Sequence, residues 1–85
     1  MLATETKRQT TTLDLMLPGQ AGRVLDVNAT SSLGRRLLEL GLVPGRLARM
    51  LRAAPLGDPI EIELPNCYLT LRRYEASLVR IALEP

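Results

Sequence analysis

The sequence predicts a mainly β domain, a small barrel or curled sheet of about five short strands. One α-helix is inserted after the first strand, and a short second helical turn comes before the last. Three observations carry this reading. Ile60, Ile62 and Leu64 alternate with Glu61 and Glu63, the period of a half-buried strand. A single segment has helical caps at both ends, with Ser31 or Ser32 before it and Gly41 after it. Pro and Gly punctuate the remainder at short intervals, which leaves room for strands and not for further long helices.

The elements follow in order. Residues 1–11 are polar and lack an apolar period, so they read as a flexible tail, and the folded domain occupies 12–85. Residues 12–17 form an apolar lead-in that covers one end of the core and stops at Pro18-Gly19. The first strand is 22–27, rich in Val and bounded by Gly22 and Asn28. In the helix, Leu33, Leu37 and Leu40 stack on one face and are expected in the core. Arg35 and Glu39 point away, with Leu38 between the buried stripe and solvent. Residues 46–54 make a strand whose inner face is ambiguous, because Ala48 and Met50 compete with Leu47 and Leu51. The strand at 60–64 turns through Pro65-Asn66 into 67–71, a hairpin that places Cys67 on the buried face of Leu69 and Leu71. A helical turn at 72–77 leads to the closing strand 79–83.

Composition narrows the function. Eighty-five residues make one domain, and an apolar share of 46% is ordinary for a folded one. Net charge is +2, too mild to announce nucleic acid. The chain has no His, which removes the usual general base and the commonest metal ligand. One Cys excludes an internal disulfide and a thiolate metal site. Glu61 and Glu63 share a strand face that could hold a hard cation, but a solvated outer face accounts for them. No glycine loop opens a helix with a Lys, as a phosphate cradle requires. No catalytic residue, metal site or cofactor is therefore expected, and the chain does not read as an enzyme. With no apolar run long enough for a signal or a membrane span, a soluble cytoplasmic protein is expected.

Three blocks then stand in a fixed order: Leu37-Leu38-Glu39-Leu40-Gly41-Leu42-Val43-Pro44-Gly45, Ala54-Pro55-Leu56-Gly57-Asp58-Pro59-Ile60, and Leu69-Thr70-Leu71-Arg72-Arg73-Tyr74-Glu75-Ala76. Together they resemble the ferrous iron transport protein A family, FeoA, over nearly the whole chain. The resemblance implies an SH3-like β-barrel with a helical insertion. It also implies a cytoplasmic accessory to the large membrane transporter FeoB, whose G-protein domain faces the cytosol. Related domains end metal-dependent repressors, but no DNA-binding helix pair precedes the barrel here. Pro65-Asn66 departs from the glycine turn that the family leads one to expect.

The expected role is a binding module that modulates Fe(II) transport. Its contact surface is expected on the helix and its exit: Arg35, Leu38, Glu39 and Leu42, with Arg36 at the margin. A flanking Leu among charges suits a small interface with a buried anchor and a polar rim. A narrower version has Arg35 or Arg36 supplying charge to GTP hydrolysis in trans. The alternative from a different class is a nucleic-acid-binding or metal-regulatory barrel, with Arg49, Arg52, Arg72 and Arg73 as a basic patch. Stacking aromatics, the usual companions of such a patch, are missing. Weak self-association through the Leu47/Leu51 face is a further reading.

Overall fold

The computed structural model describes residues 9–85. Six strands form one antiparallel sheet: β1 (Thr10–Thr12), β2 (Ala21–Val27), β3 (Leu47–Ala53), β4 (Ile60–Leu64), β5 (Cys67–Leu71) and β6 (Val79–Leu83). Their order across the sheet is β1-β6-β2-β3-β4-β5, so β1 and β5 are its edges. A 3-10 turn (Leu13–Leu15) follows β1, α1 (Ser32–Glu39) lies between β2 and β3, and α2 (Arg73–Ala76) precedes β6.

The register shifts between Val24 and Asp26 in the β2–β6 pairing, and again between Met50 and Arg52 in β3–β4. Such bulges bend strands and let a small sheet curl round its own contents. The contents are aliphatic: Val24, Ala48, Met50, Ile60, Ile62, Leu71, Val79 and Ile81 line the inner face. Leu13 and Met16 cover one end, and Leu37, Leu42 and Ala76 come from the helices and their loops.

Ile60, Ile62 and Leu64 are buried, as the alternation requires, with Glu61 and Glu63 outside. The ambiguity in β3 resolves in favour of Ala48 and Met50, both fully buried, leaving Leu47 and Leu51 half-buried on the outer face. The Pro65-Asn66 turn closes the β4–β5 hairpin on the Leu64↔Cys67 pair, with no non-glycine residue at positive φ among those described.

Three expectations need correction. Thr10 and Thr11, assigned to the tail, form β1 with Thr12 and pair with Ala82, Ile81 and Arg80 of β6. Their β-branched side chains suit a strand, and β6 supplies the free edge. The rest of the expected tail, residues 1–8, lies outside the described residues. Cys67 is exposed although its partner Leu64 is buried, because β5 is an edge strand and no further strand flanks it. In α1 only Leu37 of the leucine stripe is fully buried; Leu33 is half-buried and Leu40 is 37% exposed. The face that turns inward instead carries Gly34 and Leu37. With β1 added, the expected count of about five strands becomes six.

Candidate functional site

The helix predicted to carry contacts is held rigidly. Ser31, extended at φ −119°, accepts a bond from Gly34 N at 3.2 Å through its hydroxyl, capping the first turn. Gly34 lies against the end of β2, where a side chain would drive into the Asn28 carbonyl and stand 2.7 Å from Ala29 Cα. At the other end Gly41 takes φ +113°, a left-handed stop that few other residues accept. Gly41 N donates to Leu38 O at 3.0 Å and Leu42 N to Leu37 O at 3.2 Å, which satisfies the terminal carbonyls. The exit loop is fastened to the sheet, since Gly45 N donates to Val24 O at 2.7 Å and Arg23 Nη1 to Gly45 O at 3.2 Å.

This geometry sorts the sequence-predicted residues. Arg35 and Glu39 are exposed and Leu38 is half-buried beside them. Among the described residues Arg35 makes no ion pair. Arg36 is exposed and reaches α2, where its Nη1 stands 3.7 Å from Glu75 Oε2. Glu75 in turn accepts from Arg72 N at 2.7 Å, so one carboxylate caps α2 and links the two helices. Leu42 was expected at the surface, but its exposure is 0%. Apolar area dictates that position, which anchors the exit loop and leaves no side chain to present at the surface. Leu40, assigned to the core, adds apolar surface next to Glu39. The signal that could have found it is its place immediately before the Gly41 stop, where the last turn leaves the sheet.

The basic patch disperses. Arg49 Nε lies 3.7 Å from Glu63 Oε1, and Arg52 Nε 2.7 Å from Glu61 Oε1, pairs set side by side across the β3–β4 ladder. Arg73 donates from Nε to Gly57 O and from Nη1 to Asp14 O, while its backbone N donates to Asp58 Oδ1 at 3.0 Å. Asp58, expected to bond amides within its own turn, therefore caps α2 from a distance. Three of the four cations are committed within the domain, and Glu61 and Glu63 are the partners of Arg52 and Arg49, not a cation cage. Among the described residues no three of Cys, Asp and Glu converge as metal ligands. None of the described helices is long and apolar enough to cross a membrane.

The model of the FeoA domain matches residues 11–83. The chain belongs to the FeoA family. It is thus a ferrous iron transport-related protein, and the resemblance read from its three sequence blocks holds. The solution structure of the FeoA protein from Chlorobium tepidum is 39% identical, with a TM-score of 0.80 over 88% of this chain and 71% of that one. FeoA from Stenotrophomonas maltophilia, solved with zinc, is 30% identical, with a TM-score of 0.76 over 87% of this chain and 95% of that one. That protein is described as a procaryotic SH3-domain protein and put forward as a ferrous iron transport activating factor. The SH3-like fold expected for a FeoA chain is the one found here. A manganese-dependent transcriptional repressor shares the fold alone, at 14% identity and a TM-score of 0.80 over 93% of this chain and 44% of that one.

Proposed function

We propose that this FeoA-family chain is a regulatory binding module that docks on the cytosolic portion of a FeoB-like ferrous iron transporter and alters Fe(II) uptake. The reading is supported by family membership and by the S. maltophilia relative put forward as an activating factor. One observation carries the choice of surface. Arg35, Leu38 and Glu39 stand together on a helix clamped at Gly34, Leu37 and Leu42, where their own side chains are not needed to hold it. A pre-organised face loses little entropy on binding, and Leu38 with Leu40 offers an apolar centre inside a charged rim. On this reading the module acts by contact and binds neither iron nor nucleotide itself.

The test is binding of the purified protein to the transporter's cytosolic portion by calorimetry, together with Fe(II) uptake in vesicles. Leu38→Asp and Arg35→Glu should each weaken binding by about tenfold or more, a loss of at least about 1.4 kcal/mol. Undiminished affinity in correctly folded variants rules this surface out. Absence of binding by the native chain rules out the docking role.

A further inference from the structure

The two edges of the sheet differ. β1 is three residues long, a blunted edge. β5 is five residues, Cys67-Tyr68-Leu69-Thr70-Leu71, with no charge and no proline. Its pairing with β4 runs from Ile60↔Leu71 to Leu64↔Cys67 without a bulge. The devices that usually protect an edge are missing here.

The two-residue turn decides which backbone groups face outward. Leu64↔Cys67 closes the hairpin as a hydrogen-bonded pair, so 67, 69 and 71 bond to β4 and the alternate residues do not. Tyr68 and Thr70 therefore turn their N–H and C=O groups to the open side. Tyr68 also presents its ring, 72% exposed, on the outer face.

We propose that β5 pairs antiparallel with β5 of a second copy of this chain, about a two-fold axis at Leu69. In that register Tyr68 of one copy lies opposite Thr70 of the other, and the two pairs form four backbone hydrogen bonds. The half-buried Leu69 meets its own counterpart on the inner side, where closely spaced pairs bring side chains together. Each Tyr68 ring lies beside the other copy's Thr70, at the rim of an outer groove of about 320 Å³ lined by Arg52, Pro59, Glu61 and Thr70. An exposed aromatic and an adjoining recess are complementary parts of one anchor.

Charge selects the occupant. Two copies of a chain with net charge +2 repel in general, but not along this seam. Glu61 and Glu63 are already balanced by Arg52 and Arg49. The next outward residue, Arg72, falls opposite Asn66 of the other copy and not opposite a second Arg72. A closed two-fold pair also consumes the edge fully, where a head-to-tail contact would propagate. α1 packs on β2 and α2, away from this edge, so the pair keeps the α1 face open. The inference is independent of the docking reading.

Sedimentation and amide exchange of the whole chain test it. From micromolar to millimolar protein, the mass should move from 9.4 kDa toward twice that value. Over the same range the Tyr68 and Thr70 amides should slow, while Leu69 and Leu71 amides are protected throughout. Thr70→Pro removes one outward donor without touching β4 and should leave a monomer. Should that variant fail to fold, the pair Tyr68→Lys with Thr70→Lys places like charges across the seam and should weaken association by about tenfold. A monomer at every concentration overturns the proposal. So does protection of Tyr68 and Thr70 that ignores concentration, as an intramolecular cover or another protein's strand would leave, or a dimer unaffected by either variant.

Discussion

Gly34 and Asn28 meet with no space for a methyl group between them: the helix backbone rests directly on the carbonyl where β2 ends. A glycine inside a helix ordinarily costs about 1 kcal/mol against alanine, so its presence in an eight-residue helix needs a packing reason. Gly34→Ala should therefore destabilise, because backbone atoms on the far side cannot step aside as a side chain would. The expected loss is about 2 kcal/mol, and the thermal midpoint should fall by roughly 8–16 °C. A variant as stable as the native chain would mean that α1 does not sit this close to the sheet.

Arg73 is the fastener between the 54–59 loop, the turn at Leu13–Leu15 and α2. Its planar fork reaches two carbonyls in different directions, Gly57 O and Asp14 O, which a single ammonium cannot reproduce. Arg73→Lys keeps the charge and the backbone bond to Asp58. It should still cost about 1–2 kcal/mol, and the Gly57 amide, bonded to Ala54 O at 2.7 Å, should exchange faster. Unchanged exchange at Gly57 would show that the loop holds itself.

How far the sequence could be read follows from the range of the forces involved. β4, β5 and β6 were placed to the residue, because each is marked by local alternation and bounded by local turns. β1 was missed because three threonines carry no alternation, and only the distant strand β6 makes them a strand. The side of β3 that faces inward was undecidable from its own residues. Curvature and the bulge after Met50 settle it. On α1, the exposure of Arg35 and Glu39 with Leu38 half-buried beside them was legible from helical periodicity. Leu42 was not, because its burial depends on how the chain folds back after Gly41. Arg49, Arg52 and Arg73 looked like one patch on paper, and their dispersal is a matter of cross-strand register that no local pattern encodes.

Arg80 lies directly opposite Asp26 beside the β2–β6 bulge and grips its carboxylate, with Nη2 to Oδ2 at 2.8 Å and Nε to both oxygens at 3.1 Å. These hydrogen bonds, with the guanidinium charge added, hold the Asp26 carboxyl below the usual carboxylate range, against the desolvation that raises it. A carboxyl whose folded pKa is lowered contributes stability above its unfolded pKa and loses it as pH falls through the folded value. The contribution is thus intact at neutral pH, begins to fall at about pH 4, and is gone once pH lies below the lowered folded value. Both groups are open to solvent, so the effect is small and weakens with salt. Asp26→Asn should lower the thermal midpoint slightly at pH 7 and not at pH 2. An NMR titration should place the native Asp26 midpoint below that of an unstructured aspartate. Equal acid sensitivity of the two proteins would remove the pair from the stability account.

Leu38 and Leu42 are four residues apart, and on the proposed docking surface they should separate binding from folding. Leu42 is fully buried between the helix exit and the core, so Leu42→Ala should cost about 2–5 kcal/mol through lost transfer energy and the cavity left behind. Leu38 is half-buried at the edge of the charged face, and Leu38→Ala should cost only about 1 kcal/mol. Transporter binding should respond in the opposite order: Leu38→Ala weakens it, while the folded fraction of Leu42→Ala binds as the native chain does. The two quantities come from thermal unfolding and calorimetry on the same samples. If binding tracked stability in both variants, the helix face would be a structural surface and the docking site would lie elsewhere on the domain.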